Sequence, residues 1–144
     1  MSKPFNNLET PCIGICSTIY GDEVCRGCKR FCDEIIEWNT YDKEQKSSVL
    51  KRLESLTVKA TSRKLTVENS PQLKKYCAQY QVKVRDEFDP LCWAHTLLRE
   101  AAEKIKNPKT AGLSIHKDFA SLSLREISNL IDEDLYALSE DKCP

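Results

Sequence analysis

The sequence predicts a mainly α protein, with a small N-terminal cysteine-rich metal-binding hairpin, or knuckle, packed on a helical body. Three observations carry this. Apolar residues recur at helical spacing from Val49 to Leu138, the runs open on capping or proline signals, and four of the eight cysteines form two close pairs, Cys12-x3-Cys16 and Cys25-x2-Cys28. A chain of 144 residues can bury a core without covalent staples. The expected organisation is a head over 9–38 and a body over 40–144, forming one compact unit.

The head begins where Pro11 stiffens the approach to Cys12. Ser17-Thr18-Ile19-Tyr20 and Val24 flank the turn signal Gly21-Asp22, so a small hairpin is expected between the two cysteine pairs. Gly27 lets the backbone bend tightly between Cys25 and Cys28, turning its N–H groups toward a thiolate. Asp33 and Glu34 favour the first turn of a short helix, with Ile35 and Trp38 on one face.

The body then reads as helices. Thr40 is expected to cap a helix running to about Lys64, with Val49, Leu50, Leu53, Leu56 and Ala60 as its apolar face. Leu65-Thr66-Val67 is a short extended link. Ser70-Pro71 opens the next helix, through Leu73, Tyr76, Cys77 and Tyr80. Gln81 to Val84 alternates and is expected to be extended. Asp89-Pro90 starts the clearest helix, whose face carries Leu91, Ala94, Leu98, Ala101 and Ile105, and Asn107-Pro108 ends it. A loop through Gly112 follows. Ser123-Leu124-Arg125-Glu126 matches a capping box before Ile127, Leu130, Ile131, Leu135 and Leu138.

Composition narrows the function classes. The chain is 40% hydrophobic and 31% charged, as in globular proteins, and its formal net charge is zero. Zero net charge argues against a dominant electrostatic grip on nucleic acid or membrane. No secretory leader precedes Cys12 and no apolar run reaches membrane length, so a cytoplasmic protein is expected. Cysteines in a reducing compartment are metal ligands or small buried residues rather than disulfides.

Two thiol pairs around a turn can converge on one metal, which makes Cys12, Cys16, Cys25 and Cys28 the candidate ligands. Reactive dithiols are the alternative, though a thioredoxin-type site calls for a βαβ context. Cys32 is a candidate extra thiol. Cys77 and Cys92 read as buried small hydrophobes, and Cys143 as a terminal thiol. No catalytic residue is expected: His95 and His116 lack triad partners, and four glycines assemble no phosphate-binding loop. Tyr20, Arg26, Lys29 and Arg30 form a candidate partner-binding rim, for a protein first and RNA less readily.

The stretch Pro11-Cys12-Ile13-Gly14-Ile15-Cys16, with Cys25-Arg26-Gly27-Cys28-Lys29-Arg30 and Glu34-Ile35-Ile36-Glu37-Trp38, resembles a YdhL-like family of small uncharacterised bacterial proteins. Those proteins carry a predicted iron–sulfur label. The resemblance implies that Cys12, Cys16, Cys25 and Cys28 are the family's four cysteines; Cys32 falls where the family more often has an apolar residue. Zinc is favoured by geometry, since a closed tetrahedral thiolate set suits it, and an iron–sulfur cluster by resemblance. A binding or adaptor module is the expected function, and an iron–sulfur redox, electron-transfer or sensor protein the alternative.

Overall fold

The computed structural model describes residues 17–141, without the side chains of Ile19 and Tyr20. Cys12, Cys16 and Cys143 lie outside the described residues, as does the Tyr20 side chain. The described residues form five α-helices, α1 (Cys32–Glu37), α2 (Lys43–Ser62), α3 (Ser70–Gln79), α4 (Pro90–Ala101) and α5 (Leu124–Asp141), and two strands, β1 (Leu65–Val67) and β2 (Leu113–Ile115). The mainly α class is as the sequence predicts. No helix among the described residues is long and apolar enough to cross a membrane.

The chain gathers into two compact units. Among the described residues, the first takes 17–55 together with 136–141, and the second is Leu56–Leu135. The described part of the expected head, residues 17–38, lies within the first unit.

In the first unit, Val24, Trp38, Val49, Leu50 and Leu53 are buried with Cys25 and Cys28. The hairpin is shifted from its expected place. Ser17–Tyr20 is a 3-10 turn, and the antiparallel bridge joins Val24 to Phe31, so the hairpin encloses the second cysteine pair. The start of α2 also moves. Thr40 closes the 3-10 turn Trp38–Thr40, its hydroxyl donating to the Glu37 carbonyl, and Asp42 does the capping. The Gln45 N–H donates to Asp42 Oδ1 (2.8 Å) while the Asp42 N–H donates to Gln45 Oε1 (2.9 Å). This reciprocal pair satisfies two otherwise orphaned donors.

In the second unit, Leu65, Leu73, Leu97, Leu98, Leu113, Ile127 and Ile131 are almost wholly excluded from solvent. Asn69 caps α3 through Oδ1 (3.1 Å from the Gln72 nitrogen), one residue earlier than the sequence suggests, and Asp89 caps α4. Both helices place proline in the first turn, where its missing N–H costs no bond. Ser123 and Glu126 form the expected capping box of α5. Residues Gln81 to Val84 form no strand. Gln81 takes a left-handed φ of 58°, and the Val82 N–H returns to the Cys77 carbonyl (2.8 Å), turning the chain away from α3.

A strand the sequence did not announce, β2, pairs antiparallel with β1 in the register Leu65↔Ile115, Thr66↔Ser114 and Val67↔Leu113. Gly112 sets up this pairing. Its φ is 78°, and a Cβ there would lie 2.4 Å from the Asn69 carbonyl oxygen. That close approach lets the Gly112 carbonyl accept the N–H groups of Glu68 and Asn69 at the entry to α3.

Candidate metal centre

The site is built on the Val24–Phe31 hairpin. The Cys25 N–H donates to the Arg30 carbonyl (2.9 Å) and the Lys29 N–H to the Cys25 carbonyl (2.9 Å), wrapping the chain into a knuckle around the two thiols. Cys25 is 1% exposed and Cys28 8%. The left-handed position that closes the knuckle is Lys29 (φ 67°). An L-residue is strained there. The Lys29 ammonium offsets this by donating to the carbonyls of Arg26 and Gly27.

Donors converge on both sulfurs. Burial opposes ionisation of the Cys25 thiol, but the backbone N–H groups of Cys28, Ser17 and Gly27, with the Cys28 thiol, hold it below the usual thiol range. Burial raises the Cys28 thiol, and hydrogen bonding and charge from Arg30 only partly counter that. Arg30 Nε lies 3.3 Å from Cys28 Sγ. Ser17, the residue after Cys16 in sequence, is tied to the same knuckle: its hydroxyl accepts the Arg26 N–H (2.8 Å).

The expected rim needs correction. Lys29 is 2% exposed and Arg30 4%, so neither offers its side chain to a partner. Lys29 is turned onto its own loop, and the Arg30 guanidinium stacks on Trp38, 4.9 Å from the ring centroid. Arg26 alone of the three is exposed. It lies 4.5 Å from the Tyr136 ring centroid and 3.4 Å from Asp22.

A brace behind the knuckle, outside the expected site, joins α1 to α2. Phe31 precedes α1, and its N–H donates to Glu34 Oε1 (2.8 Å). Arg52 of α2 grips the same carboxylate with both terminal nitrogens (2.5 and 2.7 Å) while lying 4.2 Å from the Phe31 ring centroid. The Phe31-x2-Glu34 spacing is a readable local signal; Arg52, eighteen residues on, has none.

Among the described residues, no group of three or more His, Cys, Asp or Glu side chains is arranged to hold a metal ion. Cys25 and Cys28 are therefore a pair that Cys32, half-buried at the start of α1, does not extend to three. Two buried thiols with N–H and guanidinium donors on their sulfurs suit thiolate ligation of a metal. The other thiols behave differently. Cys77, 1% exposed, is pushed up to about 11 by burial and by the Glu100 charge, which makes it an apolar filler. The ring nitrogens of His116 lie 3.1 Å from the Arg63 carbonyl and 3.1 Å from the Thr66 hydroxyl.

Comparison with curated proteins and with solved structures gives no match. Residues 10–57 match the model of a family described as protein of unknown function (DUF1289). The matched third of the chain, an uncharacterised domain family, contains both cysteine pairs, the Glu34–Arg52 brace and all of α1.

Proposed function

We propose that Cys12, Cys16, Cys25 and Cys28 together ligate one metal, a structural zinc, and that the ordered head serves as a non-enzymatic binding module for a protein partner. The observation that carries this reading is the Cys25–Cys28 knuckle, where backbone N–H groups and a buried guanidinium meet two buried thiols. Ser17 supports it by fastening the chain to the knuckle at the residue following Cys16. A tetrathiolate zinc contributes folding free energy of roughly 10–16 kcal/mol, ample to order a segment of this size. With four protein ligands it leaves no open position for substrate, hence the module and not an enzyme. Arg26 and Ile36, the latter 72% exposed, are the side chains on this unit suited to a protein surface.

An iron–sulfur redox role is the second reading, favoured by the YdhL-like resemblance and by the same sulfur-directed donors, which also tune clusters. Metal analysis with a visible spectrum on oxygen-free protein separates the two. Colourless protein with one zinc per chain supports the module. Brown protein with iron and sulfide supports the cluster, and neither metal refutes both. Cys28→Ser is expected to abolish metal retention while far-UV circular dichroism keeps most of the helix signal.

A further inference from the structure

We infer that Arg30 is the buried counter-cation of the thiolate centre and that Trp38 positions it. This rests on the four-thiolate reading above and assigns a role within it. A guanidinium removed from water needs an anion or a π face to replace its hydration. Arg30 is 4% exposed, and its charge meets the Cys28 sulfur on one side and the Trp38 ring on the other. A neutral thiol is a weak acceptor for such a group, whereas a metal-bound thiolate carries the charge the guanidinium lacks. Trp38, itself 4% exposed, fixes the guanidinium plane, and Lys46 lies 5.6 Å from the centroid of the same ring. Lys29, equally buried, gives its ammonium to the Arg26 and Gly27 carbonyls. Arg30 is thus a positioning residue: it acts on the metal through Cys28.

The test is a cobalt(II) titration of the reduced full chain under anaerobic conditions, with competition by zinc. Wild type, Arg30→Gln, Arg30→Lys and a Cys25→Ser control are compared. Arg30→Gln is expected to weaken metal binding by about 10–100-fold, the usual effect of losing an outer-sphere partner. Its sulfur-to-cobalt charge-transfer band should move to longer wavelength, since the sulfur loses a neighbouring cation. Arg30→Lys should recover most of the affinity and the band position. Wild-type affinity and spectrum in Arg30→Gln would overturn the inference and leave the four-thiolate reading standing. If Arg30→Gln does not fold, Arg30→Lys decides: a folded variant with near-wild-type affinity supports charge compensation, and one that has lost affinity by about 10–100-fold refutes it. Absence of cysteine-dependent cobalt bands in wild type would overturn both.

Discussion

Breaking the Glu34–Arg52 pair tests whether the knuckle depends on the brace behind it. The pair is bidentate, at 2.5 and 2.7 Å, with the Glu34 side chain 10% exposed and that of Arg52 24%. Exposed ion pairs contribute about 0–1 kcal/mol, whereas removing one partner of a fully buried pair costs about 3–5 kcal/mol. This pair lies between those limits, which sets the expected coupling at about 2 kcal/mol. Arg52→Met keeps the aliphatic stem but also loses the contact with the Phe31 ring, adding about 0.5–1 kcal/mol. Glu34 would keep the Phe31 N–H, so the carboxylate is not fully orphaned. The total expected for Arg52→Met is therefore about 2–3 kcal/mol. Urea unfolding of wild type, Arg52→Met, Glu34→Gln and the double variant gives the coupling directly. Phe31 is bridged to Val24, so amide exchange at Cys25 and Lys29 should quicken in the single variants. A coupling below about 0.5 kcal/mol would refute the reasoning, because the pair would then be acting as an ordinary surface bridge.

Gly112→Ala should lose about 3–4 kcal/mol, from left-handed strain plus the clash with the Asn69 carbonyl, against about 1–2 kcal/mol for Gly21→Ala, where φ is also positive but space is open. Equal losses in thermal melts would discredit the close-approach argument. Glu103, held to about 2 by the Arg125 guanidinium, contributes stability above its ordinary pKa that disappears as pH falls through about 2. Carboxyl-carbon NMR titration should show that depressed midpoint, and Arg125→Gln should return it to the ordinary glutamate range; an unchanged midpoint contradicts the assignment. Cys77 should resist alkylation in the native protein at pH 8, where a thiol pushed to about 11 is roughly one part in a thousand thiolate. Peptide mapping that finds Cys77 modified as fast as half-buried Cys32 would count against its role as core filler.

Helices were legible wherever the chain carries its own local chemistry. Asp89-Pro90 and the Ser123–Glu126 box mark the starts of α4 and α5 because capping involves neighbours two or three residues apart. The start of α2 was misread because Thr40 and Asp42 both resemble caps, and only Asp42 finds Gln45 in reach. β2 left no periodic trace: three residues are too few, and their partner lies some fifty positions upstream. The knuckle could be read from cysteine spacing, but the burial of Lys29 and Arg30 could not. Lysine and arginine are surface residues by default, and carbonyls, a sulfur and an indole gathered from the hairpin and the following turn reverse that default here. Ser17 likewise became informative only when the hairpin brought Arg26 to it.

The three-residue pairing of β1 with β2 bears on how the second unit assembles. Joining Leu65 to Ile115 closes a loop of about fifty residues, at an entropic cost that grows as the logarithm of loop length and amounts to roughly 3 kcal/mol. So short a ladder returns too little to form first. Packing of α3 against α4 shortens the effective loop, so the ladder is expected to close after those helices have met.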